Sequence, residues 1–332
     1  MASMKDVALL AKVSVSTVSR ALSGAVPVDE KTRQRVNRAV ETLRFKTDLL
    51  ASGLRARTGR LVGLAIPDAR DPISAAAIAS VEKSVALRGF QLVLGQTNGA
   101  VEKEAEFVES LARRHGDGVI VLATKSRSRL RRAADKNGIA VVVLDGTPES
   151  EDVPTVVADE YAVGALAAQY LLSIGHQHIA CIIEGATVDR GNERQNGFRD
   201  TLAANGVELR QTYVHHGDRS FETGLEAMQS LLARRLTFTA VWATSDIVAL
   251  GAMAELHRRG LSVPDDVSVM GSDDIPCGAI AVPALSTMSI PWEGVCETAV
   301  QLLLDPALGR DIAGARVVAG GAVVVRESTR PV

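Results

Sequence analysis

Between Lys12 and Gly24 the chain reads KVSVSTVSRALSG. Hydroxyls on Ser14, Ser16, Thr17 and Ser19 crowd the start of an apolar-periodic segment, and Arg20 is its one arginine. Small hydroxyl side chains let a backbone approach a surface closely and can bond phosphate oxygens. A guanidinium can pair with both acceptors on the edge of a guanine, and Val15 is of the type that touches a thymine methyl. This is the chemistry of duplex DNA recognition, provided these residues share one outward helix face.

The elements that would hold them there are legible on both sides. Ser3-Met4-Lys5-Asp6 has the form of a capping box. Val7, Ala8 and Ala11 line one face of the helix it starts. A break follows at Lys12-Val13. Ser14 is a good N-cap for a second helix, which Gly24 can end in the left-handed conformation. Val13, Val18 and Leu22 can face inward. Asp29 caps a third helix, Glu30 suits its positive end, and Val36, Ala39, Val40 and Leu43 form its buried stripe. Two short helices joined by a tight turn, with a third packed on both, is helix-turn-helix geometry. An ordinary three-helix bundle has the same pattern, and charge separates the two. Residues 1–60 hold 12 Lys and Arg against 5 Asp and Glu, although the whole chain carries a formal charge of -2. A basic head on an acidic body points to nucleic acid.

A second group of candidates sits beyond residue 60. LVGLAI, FQLVLG, GVIVLA and AVVVLD are apolar runs of strand length, separated by amphipathic stretches at 73–87 and 103–114. The alternation restarts near Asp159, with helices expected at 159–174, 193–204, 221–235 and 246–259 and strands between them. Alternating strand and helix implies parallel sheets covered on both faces, here in two lobes. The late runs STMSI and AVVVRES cross back between the lobes. A cleft lined by strand C-terminal ends is where such folds bind small molecules. Asp145, Arg219, Ser245, Asp246, Asp273, Asp274 and Trp292 follow strands, and Arg194 opens a helix. Carboxylates and a guanidinium can bind vicinal hydroxyls, and an indole can stack on the C–H face of a sugar. Each arginine and aspartate could instead belong to an ion pair between the lobes.

Other chemistries lack their residues. No run approaches the ~18 apolar residues of a membrane helix, and the start lacks the pattern of a secretory leader. Cys181, Cys277 and Cys296 are far apart, which suits a reduced, cytoplasmic chain. There is no Walker loop, no G-x-S-x-G elbow and no G-x-G-x-x-G after a strand. His176-Gln177-His178 and His215-His216 lack companions at metal-ligand spacing. We therefore expect no catalytic residue, no metal and no cofactor.

MKDVALLAKVSVSTVSRALSG followed by VPVDEKTRQRV resembles the head of the lactose-repressor family of bacterial transcription regulators. The likeness extends through GHQHIACI, RQNGF, AVWATSDIVALGAM and VPDDVSVMGSDD. It implies an all-α helix-turn-helix head at 1–45, a hinge at 46–60 and an α/β two-lobed periplasmic-binding-protein-like body at 61–332. The first lobe would comprise 61–158 and 291–316, and the second 159–288 and 317–332. The family's hinge helix forms on DNA and wedges a leucine into the minor groove; Leu54 falls at that place. Thr47-Asp48 stands where the family commonly has Pro-Asn. Arg194 and Asp273 match the usual effector arginine and aspartate, while Arg219 and Trp292 fall where aromatics are common. An arginine there suggests an anionic sugar derivative.

The expectation is a repressor-type regulator. It would bind a near-palindromic operator as a homodimer, and a sugar-like effector in the cleft would control it. No heptad tail that would join dimers into tetramers is seen. The alternatives are a cleft-type sugar-binding protein and a sugar-processing enzyme.

Overall fold

The structure, a computed structural model, describes residues 3–23, 28–43, 59–124, 126–144, 153–184, 189–305 and 316–332. Two compact units are present, residues 1–59 and 60–332.

The head contains α1 (Met4–Ala11), α2 (Val15–Ser23) and α3 (Glu30–Thr42). Ser3 and Asp6 form the capping box in both directions, and Lys12 ends α1 in the left-handed conformation. The side chain of Asp29 accepts from the Thr32 amide. Val7, Ala8, Ala11, Val18, Val36 and Ala39 make the small core, with Val13, Val15, Val40 and Leu43 half-buried around it. Gly24 and the side chain of Leu22 lie outside the described residues.

The body opens with β1 (Leu61–Ile66), α4 (Pro72–Leu87), β2 (Gln91–Gln96), α5 (Val101–Arg113), β3 (Gly118–Leu122), α6 (Arg127–Asn137), β4 (Ala140–Leu144) and β5 (Thr155–Ala158). It continues with α7 (Glu160–Ser173), β6 (Ile179–Glu184), α8 (Asp189–Ala204), β7 (Val214–Gly217), α9 (Phe221–Ala233), β8 (Ala240–Ala243), α10 (Asp246–Arg258), β9 (Ser268–Met270) and α11 (Pro276–Ile280). The chain then returns through β10 (Thr287–Ser289), α12 (Trp292–Leu304), β11 (Arg316–Ala319) and β12 (Ala322–Val324).

The first sheet has the order β11-β5-β4-β3-β1-β2 and the second β7-β6-β8-β9, and every pairing in both is parallel. Helices cover both faces of each, which is why the strands read as unbroken apolar runs. In the first lobe Val81 and Val85 of α4 and Val295 and Ala299 of α12 bury against Leu64 and Ile120, while Leu111 and Leu130 cover Val119 and Val143 from the other side. In the second lobe Phe198 of α8 stacks on Trp242 of β8, with centroids 4.2 Å apart and planes 9° from parallel. Strands β10 and β12 pair antiparallel and carry the chain between lobes.

One boundary is corrected. The expected division at 316/317 cuts through β11, which pairs with β5 from Arg316 to Ala319 and so belongs entirely to the first sheet. The last crossing comes after Ala319. A strand's sheet is decided by the partner it finds, which its own sequence does not record.

Candidate functional site

Ser14 is the keystone of the exposed helix start in the head. Its Oγ accepts from the Thr17 amide at 3.1 Å, capping α2. The same hydroxyl bonds Ser16 Oγ at 2.7 Å and Thr17 Oγ1 at 2.8 Å. Ser16 and Arg20 are exposed and Thr17 is half-buried. Val15, expected outward, is half-buried against the head core. The side chain of Ser19 and all of Leu54 and Asp48 lie outside the described residues.

In the body, two glycines set the second lobe's helices at close range. A Cβ on Gly164 would lie 1.9 Å from the Arg194 carbonyl, and one on Gly197 2.0 Å from that of Tyr161. Only hydrogen at these positions lets α7 and α8 cross backbone to backbone. That contact brings Arg194 of α8 over Glu160, the first residue of α7.

Arg194 is 3% exposed. Its guanidinium donates to Glu160, to the Thr244 carbonyl and, at 3.3 Å, to Asp273 Oδ1. Asp273 receives Arg219 on its other oxygen. Arg219 also lies 3.5 Å from Glu184 and 3.8 Å from Asp71. Asp71 caps α4 in the first lobe, accepting from the Ser74 amide, so the Arg219–Asp71 pair spans the cleft. Burial opposes the charge of both guanidiniums, but the neighbouring carboxylates outweigh it and raise both pKa values above the ordinary one.

Asp273 is presented by an unusual backbone. Its φ is 128° and that of Asp274 is 60°, a region non-glycine residues seldom enter. The Asp273 amide donates to the Met288 carbonyl at 2.8 Å. Asp274 pairs with Arg326, which also donates to the Leu285 carbonyl.

Asp246 does not reach toward these arginines. It is wholly buried, accepts from the Ile275 amide at 2.8 Å, and takes the Thr287 hydroxyl at 2.5 Å. Burial, and then the charge of Asp273, push its carboxyl up to about 7. Ser245 Oγ and Trp292 Nε1 are buried and have no hydrogen-bond partner among the described residues. Asp145 lies outside them.

The sequence reading thus brought Arg194, Arg219 and Asp273 to one cluster and missed Asp71, Glu160 and Glu184. Glu184 ends a strand and was open to the same rule that picked Asp273. Glu160 reads locally as a favourable charge at a helix start, and Asp71 as a cap. Elsewhere, His176 hydrogen-bonds Thr239 through Nδ1 and donates from Nε2 to the Arg330 carbonyl, pinning the end of the chain. Among the described residues no group of three or more His, Cys, Asp or Glu is placed to hold a metal, and no helix is long and apolar enough to cross a membrane.

Two family models match the chain. Residues 3–48 match bacterial regulatory proteins of the lacI family, and residues 168–329 a periplasmic binding protein-like domain. The HTH-type transcriptional repressor PurR of Erwinia tasmaniensis is 34% identical over 307 residues, covering 92% of this chain and 90% of its own. The HTH-type transcriptional repressor CytR of Escherichia coli K12 is 30% identical over 329 residues, covering 99% and 96%. A solved complex of the transcriptional regulator CelR with cellobiose superposes with a TM-score of 0.73 at 32% identity, covering 99% of this chain and 100% of that one. The lac repressor dimer bound to operator and the anti-inducer ONPF gives 0.88 at 23% identity, covering 99% of each, and supports the fold.

Proposed function

The chain belongs to the lacI family of bacterial regulatory proteins, and from that premise we propose how its head and its cleft divide the work. It is a DNA-binding transcriptional regulator of the repressor type whose operator binding answers to a small-molecule effector. Its head, which we place at 1–45, lays α2 in the major groove. Ser14, Ser16, Thr17 and Ser19 approach the phosphates, Arg20 reads a guanine and Val15 a thymine methyl. The hinge at 46–60 carries Leu54 to the minor groove. Two copies read a near-palindrome, because one small head buries too little surface for tight specific binding. A protein that reads DNA works where the DNA is, so we assign it to the cytoplasm. We assign it no reaction.

The effector is a polyhydroxylated small molecule bound between the lobes of the body, on Arg194, Arg219, Asp273, Ser245 and Trp292, and we keep Asp145 as a further contact on the sequence reading alone. Asp246 serves this site indirectly, by holding the loop that presents Asp273. The observation that carries the reading is the Arg219 bridge: one side chain meets Asp273 and Glu184 of the second lobe and Asp71 of the first. A ligand that enters this cluster must change the contact between lobes. It shifts operator affinity to the extent that it binds the two lobe arrangements unequally. The anionic effector suggested by an arginine at position 219 is not favoured, because three carboxylates already surround that arginine.

Footprinting on genomic fragments identifies the operator, and anisotropy of that operator is then titrated with candidate sugars at fixed salt. A sugar that changes operator affinity in the parent and not in Arg219→Ala supports the reading. Equal responses in both would overturn the role of the bridge.

A further inference from the structure

This inference rests on the cleft reading above and concerns how that site controls the lobes. We propose that Arg326 is a positioning residue. It ties the loop that presents Asp273 to the two strands β10 and β12 that carry the chain between lobes, so that a change at the effector site reaches the operator through it.

The loop from Gly271 to Ile275 is the first observation. It runs beside β10, with parallel bridges at Met270–Ser286 and Asp273–Ser289. The Gly271 amide donates to the Ser286 carbonyl at 2.9 Å, and the Asp273 amide to that of Met288 at 2.8 Å. The other edge of β10 pairs with β12, Thr287 opposite Val324 and Ser289 opposite Ala322. Loop, outgoing strand and returning strand thus lie side by side. Asp273 and Asp274 hold φ values of 128° and 60° there. Such a backbone persists only where its surroundings over-determine it.

The second observation is that Arg326 grips all three. It follows β12, just before Ser328 joins the returning chain to the second lobe by donating its hydroxyl to the Val269 carbonyl at 2.6 Å. The Arg326 amide donates to Ser286 Oγ at 2.9 Å, and its guanidinium to the Leu285 carbonyl at 2.7 Å and to Asp274 Oδ1. Leu285 and Ser286 lead directly into β10. One rigid planar fork therefore sets the spacing of both strands and the loop. The neighbouring residue of that loop, Asp273, holds Arg194 and Arg219, and Arg219 reaches Asp71 of the first lobe. Freed of Arg326, the loop can relax toward ordinary backbone angles and draw Asp273 off those arginines. The contact between lobes at Asp71 then changes, and with it the lobe arrangement that the operator selects.

Arg326→Gln, Asp274→Asn, their double variant and Asp71→Asn are compared as full-length proteins by anisotropy on the footprinted operator. No effector is added, salt is fixed, and the temperature stays below each variant's melting range. The Asp71 change keeps a helix cap and removes the charge that Arg219 meets. Arg326→Gln and Asp274→Asn should each shift operator affinity by about fivefold, the size of a modest coupling between sites, in the same direction as Asp71→Asn. The double variant should shift no further than either single one, because the pair acts as a unit. A purely electrostatic or purely structural role would not give this pattern. Losing a cation and losing an anion change the attraction for DNA in opposite senses, and lost stability alone lowers the melting temperature with operator affinity unchanged. Arg330→Ala, which breaks an exposed pair with Asp265 on the same tail, should leave operator affinity unchanged. Unchanged affinity in Arg326→Gln and Asp274→Asn, shifts in opposite directions, or shifts that add in the double variant overturn the inference and leave the cleft reading standing. If Arg326→Gln does not fold, Asp274→Asn and Asp71→Asn decide by the same size and direction. A parent that binds no operator removes both.

Discussion

Asp246→Asn is the sharpest probe of the electrostatics beneath the cleft. The carboxyl has no exposed surface and accepts from the Ile275 amide and the Thr287 hydroxyl. Asparagine has the same shape. Its oxygen can keep the Ile275 bond, and its amide can donate to Thr287 Oγ1. What changes is titration. The carboxyl is raised from 3.8 to about 7 in the fold, by burial first and by Asp273 second. Below pH 3.8 both folded and unfolded states hold the proton, and the group contributes no pH dependence. Between about pH 4 and 7 the unfolded chain has released its proton while the fold retains it, so parent stability falls as pH rises. Above 7 the penalty is constant. A tenfold difference in proton affinity between fold and unfolded chain is worth about 1.4 kcal/mol, which sets a ceiling of about 4 kcal/mol. From pH 5 to pH 8 the variant should therefore gain about 2–3 kcal/mol over the parent. Urea unfolding followed by tryptophan emission measures this, because both tryptophans lie in the body. Titrating groups that do not interact with Asp246 cancel in the difference. A difference that is flat from pH 5 to 8, or a variant less stable at pH 8, would refute the reasoning.

Gly164→Ala would force a methyl onto the Arg194 carbonyl; we expect about 1–3 kcal/mol of destabilisation by denaturation, and weaker effector binding because α8 carries Arg194. Arg194→Ala takes away the buried cation that Glu160 and Asp273 share, so it should cost about 3–5 kcal/mol in the same assay as well as removing the effector response measured by operator anisotropy. In the head, Arg20→Ala should weaken operator binding by about 1–3 kcal/mol and relax preference at one symmetric position. A randomised operator library at fixed salt tests this, and a uniform loss across sequences would show a phosphate contact instead.

The head was legible because its signals are local. A capping box spans four residues, a buried stripe repeats every three or four, and Ser14 needs only Thr17 to cap a helix. The body's parallel sheets were legible for a related reason: a strand covered on both faces must be apolar throughout, whichever strands flank it. The strand-end rule also located Arg219 and Asp273. It could not say that they meet, nor that Arg194 would lie buried between Glu160 and Asp273, 34 and 79 residues away along the chain. Arg194, proposed as an effector contact, is also held in a buried ion pair, and Asp246, of the same residue type and place as Asp273, faces inward to Thr287. Asp71 escaped notice because locally it reads as a helix cap, whereas Glu184 ends a strand and was open to the strand-end rule. Strand and helix follow from the period of apolar residues along the chain. Charge pairing depends on distance through space, and here the chain's crossings between lobes and the glycine-lined approach of α7 to α8 set that distance.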